Sequence, residues 1–144
     1  MSERERPRCY VASGLGFTEA GRRYHLDVYL PALATVVEPV DPWALGDPAS
    51  SPAEIGRRNA EAIDSCALLA AHLDGQEVDS GTAAEVGYAA ARGLPCFGLR
   101  TDLRESGEPG AVVNLQVQHF IEASGGAIVT TLEDLVRVLA TFRA

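Results

Sequence analysis

The apolar run Cys66-Ala-Leu-Leu-Ala-Ala-His-Leu73 constrains the fold more than any other stretch. A single His interrupts it, as expected for a central parallel strand covered on both faces. It leads into Asp74-Gly75, then Asp79-Ser80-Gly81-Thr82, then an Ala-rich run to Arg92. Acids, glycines and a Ser/Thr pair therefore stand at a strand-to-helix turn. In an open α/β sheet, ligands bind outside the carboxyl ends of the strands, where such turns lie.

The rest of the chain alternates in the same way. Cys9–Ser13 reads as a first strand that stops at the glycine turn Gly14-Leu15-Gly16. Thr18 is placed to cap a helix whose apolar positions Ala20, Tyr24, Val28 and Leu33 recur at helical spacing. Pro31 should kink or end that helix near its last turn. Thr35–Pro39 reads as a second strand, followed by a Pro/Gly/Ser-rich loop from Val40 to Ser51. Ser51-Pro52-Ala53-Glu54 is a capping box with proline at the first helical position, opening a helix to about Ser65. Beyond the central strand the pattern predicts a helix over Thr82–Arg92, a strand over Pro95–Leu99 and a polar, mobile loop over Arg100–Gly110. A helix over Val112–Ala123, a strand over Ala127–Thr130 and a closing helix from its Thr131 cap to Phe142 follow. Such alternation argues for an α/β fold, a parallel sheet with helices on both faces. Residues 1–8 read as a frayed, charged terminus and residues 9–144 as a single domain.

A chain of 144 residues and 15.2 kDa is long enough to bury a real core as one domain. Its net charge of −8, with no basic cluster longer than an Arg pair, argues against polymeric nucleic acid as a partner. A free nucleoside or another small ligand remains open. No stretch approaches the roughly 20 apolar residues of a membrane span, and no apolar leader follows the charged start, so no membrane partner and a cytoplasmic location are expected. Cys9, Cys66 and Cys96 are odd in number and far apart, each in a predicted strand, which fits buried free thiols in a reducing compartment. A zinc site would want paired spacings and nearby histidines, which are missing.

Glu85 is the first candidate for chemistry. Near a helix start, the macrodipole and free backbone N–H groups keep a carboxylate ionised and able to act as a nucleophile. Thr82-Ala-Ala-Glu85 is equally a capping box in which Glu85 folds back onto the cap. Asp79, six positions earlier, brings a second carboxyl group to the same turn, or else serves as a turn acid. Two converging carboxyl groups suit a glycosidic bond, one attacking and one managing a proton. Asp74 and Gly81 are weaker candidates that turn geometry also explains. The turn Ser13-Gly14-Leu15-Gly16-Phe17 is not a dinucleotide fingerprint, because Glu19 stands where the third glycine belongs; a small ligand can still contact it. Tyr10 reads as core or site, and Trp43 as a stacking wall or a loop anchor. His25, His72 and His119 are scattered, with His72 read as a core residue. Asn114 and Gln116 offer amides to a ligand or simply start a helix.

Taken together, the chain resembles the nucleoside 2-deoxyribosyltransferase family from Tyr10 to the closing helix. Three blocks carry the resemblance: Tyr10–Gly21 with Asp41-Pro42-Trp43; Leu73-Asp-Gly75 with Asp79-Ser-Gly-Thr-Ala-Ala-Glu-Val-Gly-Tyr-Ala89; and Asn114-Leu-Gln-Val-Gln118. It implies a flavodoxin-like, doubly wound sheet of five parallel strands and exchange of the base on a 2′-deoxynucleoside. The residue matching Glu85 attacks C1′ to form a covalent deoxyribosyl ester, with retention overall. The residue matching Asp79 helps protonate the departing nitrogen, a role that a raised pKa would suit. Tyr10 matches a tyrosine that helps place the nucleophile, and the resemblance implies that no metal or organic cofactor is needed. Ser13, Gly14, Gly16, Phe17, Trp43, Asn59, Asp74, Gly81, Asn114 and Gln116 are the implied substrate-binding positions. Asn114 reaches the site of a neighbouring subunit, so a homo-oligomer is implied, with a nucleoside or nucleotide and a free base as partners. Some members carry a base-contacting Asp where this chain has Gly56, with Asn59 on the next turn. Two alternatives stand beside transfer. One is N-glycoside hydrolysis of a nucleoside or its 5′-monophosphate with the same nucleophile, for which Ser13, Arg22 and Arg23 are the candidate phosphate groups. The other is a non-catalytic nucleotide-binding module.

Overall fold

The computed structural model of the protein describes residues 5–142. Of the terminus read as frayed, residues 1–4 lie outside the described residues, while Arg8 already opens the first strand. Five parallel strands form one sheet in the order β2-β1-β3-β4-β5, comprising β1 (Arg8–Ser13), β2 (Glu38–Val40), β3 (Leu68–His72), β4 (Cys96–Leu99) and β5 (Ile128–Val129). This is the flavodoxin-like order, and the sequence of strands reverses direction between β1 and β3. Their carboxyl ends, Ser13 beside His72 in register, therefore bound the crevice where ligands enter such sheets.

Alternation along the buried strands sorts the helices into two layers. Tyr10, Ala12, Leu69 and Ala71 pack with Ile63, Val86, Ala89, Val117 and Ile121 of α3 (Pro52–Asp64), α4 (Ser80–Ala91) and α5 (Leu115–Ala123). Cys9, Val11, Leu68 and Ala70 face the other way, onto Leu33 of α2 (Leu30–Leu33) and Leu135 and Leu139 of α6 (Leu132–Thr141). Period-two alternation thus sends Tyr10 toward the α3–α4 layer. All three cysteines are buried and free, although Cys66 precedes β3 rather than lying within it.

Local boundaries differ from the sequence reading where caps competed. Thr18 caps α1 (Glu19–Tyr24), which continues through a wider π turn, His25–Tyr29, into α2. Pro31 lies just after that π turn, and the helix ends soon beyond it, at Leu33. The second strand begins at Glu38 rather than Thr35, because the N–H groups of Thr35, Val36 and Val37 bond back to Ala32 and Leu33 and close the helix end. α5 begins at Leu115 rather than Val112, because Asn114 caps it with bonds from the N–H groups of Gln116 and Val117. Ser51 and Glu54 form the reciprocal capping box, and Thr131 caps α6. The stretch after Arg100, read as mobile, is tied down at its start: buried Arg100 donates to the carbonyls of Leu73, Gly75 and Arg104 at 2.9, 2.6 and 3.0 Å. No helix among the described residues is long and apolar enough to cross a membrane.

Candidate active site

A cleft of about 660 Å³ opens over the carboxyl end of β1, between α3, α4 and the loop that carries Trp43. The start of α4 decides what faces it. Asp79, not Thr82, is the N-cap: its Oδ2 accepts from the Thr82 N–H at 2.9 Å and the Thr82 hydroxyl at 3.1 Å. The Thr82–Glu85 capping box therefore does not form, since Thr82 is already inside the helix and spends its hydroxyl on Asp79. Glu85 lies in the second turn and reaches across to the sheet, where the hydroxyl of fully buried Tyr10 donates to its Oε2 in a short hydrogen bond.

That position also changes the electrostatics. The helix start was expected to hold Glu85 ionised. Instead the Glu85 carboxyl is pushed up to about 7 from 4.5. Burial is the main cause, the Tyr10 hydrogen bond opposes it, and the negative charge of Asp79 adds to it. A residue in the second turn has passed the unpaired N–H groups of the helix start, so desolvation outweighs the dipole. Tyr10 is itself held well above the usual phenol range, by burial first and then by Glu85, so it remains a donor. The second oxygen of Asp79 has no hydrogen-bond partner among the described residues, and both Asp79 and Glu85 line the cleft. Together they offer a carboxyl poised between protonation states near neutrality and a second acid at the same opening.

The opposite walls are largely apolar. Trp43 both anchors and lines: its Nε1 donates to the Ser13 carbonyl at 3.1 Å, and Phe17 meets its ring edge-on at 4.8 Å. Gly16 allows this, because a Cβ there would stand 2.4 Å from the indole. Gly14 likewise gives room to Asp79, whose Cβ would be 2.9 Å from an added methyl carbon. Ser13, Asn59 and Gly81 complete the set of proposed residues that face the cleft. The Ser13 hydroxyl accepts from the Leu15 N–H.

Three proposed residues lie elsewhere in the protomer. Asp74 binds the segment after β4, accepting from the N–H groups of Thr101 and Asp102 at 2.6 and 3.0 Å and from the Thr101 hydroxyl. Asn114 and Gln116 sit at the start of α5; Asn114 lines a separate depression with Glu77 and Glu108. Of the two cations considered for a phosphate, Arg22 donates to the Gly16 carbonyl and Arg23 pairs with Glu19 on the surface. His72 is buried against the rings of Tyr24 and Tyr29, 3.6 Å from Asp74 and on the far side of the sheet from Glu85. Sequence reasoning missed Ile55, Ile63 and Tyr88 as cleft residues. Helical spacing was the available signal: Ile55, Asn59 and Ile63 share one face of α3, and Tyr88 lies one turn beyond Glu85. Among the described residues no group of His, Cys, Asp and Glu is arranged to hold a metal ion.

Comparison with solved structures finds the same architecture. A conserved protein from Enterococcus faecalis is 26% identical with a TM-score of 0.75, covering 93% of this chain and 97% of its own. A 2-desoxiribosyltransferase from Leishmania mexicana is 24% identical with a TM-score of 0.74, covering 96% and 99%. A CMP N-glycosidase from Clostridium botulinum shares the fold at 19% identity and a TM-score of 0.63, covering 94% and 99%. No curated protein matches the chain by sequence. The family model for nucleoside 2-deoxyribosyltransferase matches residues 9–126, a span that holds both acids, Tyr10 and every wall of the cleft, and the chain belongs to that family.

Proposed function

We propose that the protein moves a 2-deoxyribosyl group from one nucleobase to another through an ester on Glu85. The observation that carries this reading is the Glu85 carboxyl itself: in the cleft, bonded by one phenol, and titrating near neutrality. In the first step a Glu85 oxygen forms a bond to C1′ as the C1′–N bond breaks. Asp79 gives a proton to the departing base. In the second step a nitrogen of the incoming base attacks C1′, Asp79 takes up the proton released, and the ester bond breaks to free the carboxylate. Two inversions at C1′ leave its configuration retained, and one hard displacement is divided into two easier ones. Tyr10 stabilises the ionised form of Glu85 and fixes its orientation. The apolar walls around Trp43 and Phe17 suit a flat base. That Asn114 lies outside its own protomer's cleft supports a role in a neighbouring copy's site, and so a homo-oligomer. The setting that fits this chemistry is base salvage in the cytoplasm.

Incubation with 2′-deoxyinosine and free adenine tests the reading. Appearance of 2′-deoxyadenosine and hypoxanthine supports transfer. Free deoxyribose without new nucleoside assigns the protein to hydrolysis by the same nucleophile, and absence of turnover across purine and pyrimidine nucleosides and 5′-monophosphates overturns the enzymatic reading.

A further inference from the structure

A buried polar cluster on the helix after β1 takes no part in the chemistry described above. His25 opens the π turn that follows α1, and its side chain is almost wholly buried. Single π turns of this kind occur often at functional positions. The imidazole packs against Tyr29, whose ring in turn meets His72 edge-on at 5.3 Å. His25 Nδ1 and the Tyr29 hydroxyl have no hydrogen-bond partner among the described residues, so no bond fixes the imidazole on that side. On the other side Nε2 lies 3.2 Å from Oδ1 of Asp41, without the alignment of a hydrogen bond. The contact is therefore one of charge, between a protonated imidazole and a carboxylate. Their side chains are 2% and 10% exposed, so water screens it little. Among the described residues no other cationic group stands within ion-pair distance of Asp41.

Asp41 links this cluster to the cleft. It is the N-cap of the short turn Pro42–Ala44, and the same Oδ1 accepts from the Trp43 N–H at 3.1 Å. Trp43 presents its indole to the opening, with Nε1 held by the Ser13 carbonyl. We infer that His25 is a positioning residue: through Asp41 it fixes the turn that sets Trp43 as a wall of the cleft, while touching no ligand itself. A buried carboxylate left with one backbone donor and no countercharge is costly. Without His25, Asp41 turns toward water, the cap weakens and Trp43 loses one of its two anchors. Glu85, Asp79 and Tyr10 are held by bonds of their own on α4 and β1, so the reacting groups keep their places. The loss falls on binding rather than on chemistry. Only the identity of the bound molecule, a nucleoside, rests on the transfer reading above.

Trp43 is the chain's only tryptophan, so its fluorescence reports the wall directly. The test measures acrylamide quenching of that emission in the variants His25→Leu, Asp41→Asn and the two combined. KM and kcat for 2′-deoxyinosine are measured alongside, at saturating adenine. Asp41→Asn keeps an acceptor for the Trp43 N–H and removes the charge that His25 meets. Each single variant should be quenched about twofold more readily than the wild type and raise KM about fivefold, with kcat within about twofold. The double variant should match His25→Leu, because both changes cut one link. Unchanged quenching in folded His25→Leu, or effects that add in the double variant, overturns the inference. A fall in kcat with KM unchanged overturns it too, since loss of a binding wall acts on KM. Should His25→Leu fail to fold, His25→Asn, polar but shorter, is judged by the same outcomes. If the wild type exchanges no bases, the transfer reading fails on its own, and the quenching comparison alone decides whether His25 sets the wall.

Discussion

Asp74 and Glu85 follow the same strand, eleven residues apart, yet their surroundings give them opposite capacities. Asp74 closes the turn after β3 and accepts from three donors of the segment after β4. Its neighbour Asp102 joins the same knot, accepting from the Gly75 N–H at 3.1 Å and held well below the usual carboxylate range by its bonds to Arg104. Glu85 has one side-chain donor among the described residues, a desolvated position and a cleft in front of it. A carboxylate that meets several donors on both oxygens orders a loop. One left partly unmet can form a new bond. The same residue chemistry thus becomes structure or reactivity according to how many donors the fold brings to it.

The largest difference should appear in turnover. Glu85→Ala is expected to lower the rate of base exchange by about a thousandfold or more, as removal of a covalent nucleophile does. It should also abolish the deoxyribosyl-protein adduct detectable by intact mass after acid quench. Asp74→Asn should leave kcat/KM within about threefold. If the Asp74 variant loses as much activity as the Glu85 variant while remaining folded, the contrast between the two acids collapses.

Stability as a function of pH sharpens the comparison next. The folded-state pKa of Glu85, about 7, lies above its ordinary 4.5, so the native protein binds this proton more tightly than the unfolded chain. The resulting stabilisation is complete below pH 4.5 and is lost as pH rises through about 7. Glu85→Gln never ionises and keeps an oxygen for Tyr10 to bond. It should match the wild type in acid and exceed it above neutrality, by up to roughly 3 kcal/mol. Denaturant midpoints measured at about pH 4 and about pH 8 check the sign. A gain that is equal at both values shows that Glu85 does not titrate in this range.

Asp74→Ala should show the reverse pattern, a loss of stability with little change in chemistry. Three donors lose their acceptor at a partly buried turn, which costs about 2 kcal/mol and several degrees in Tm. Because Arg100 also clamps this turn through the carbonyls of Leu73 and Gly75, the loop should loosen without the sheet unfolding. Hydrogen exchange should therefore rise at Gly75 and Asp102, and not in β1 or β3.

The two acids were not equally legible in the sequence. Alternation of apolar strands with capped helices identified the α/β sheet, since the Ser51–Glu54 capping box and the Thr18 and Thr131 caps act within a few residues of themselves. Boundaries slipped where two local signals competed. Thr35-Val36-Val37 is β-prone, but its N–H groups finish a helix, and Thr82 resembles a cap until Asp79 takes that position. The hydrogen bond from Tyr10 to Glu85 spans 75 residues, and no periodicity predicts it. Only the family resemblance placed a tyrosine beside the nucleophile. The raised pKa of Glu85 was hidden for the same reason: it depends on how deeply the packed layers bury the second turn of α4, which spacing does not reveal.

Tyr10→Phe is the smallest of these changes, and it removes the phenol that donates to Glu85. The phenol hydrogen bond stabilises the ionised carboxylate and so lowers a pKa that burial has raised. Its removal should move the acid limb of the kcat/KM profile from about 7 to a higher pH. At neutral pH fewer molecules then carry the nucleophile ionised, and the rate falls by about tenfold, the worth of one charge-assisted hydrogen bond. Raising the pH should recover that part of the loss which comes from ionisation and leave the part which comes from lost orientation. A variant whose profile is lowered uniformly, with its acid limb unmoved, would mean that Tyr10 orients Glu85 without setting its charge. A profile unchanged in both respects would remove Tyr10 from the site altogether and leave Glu85 as isolated electrostatically as Asp74 is crowded.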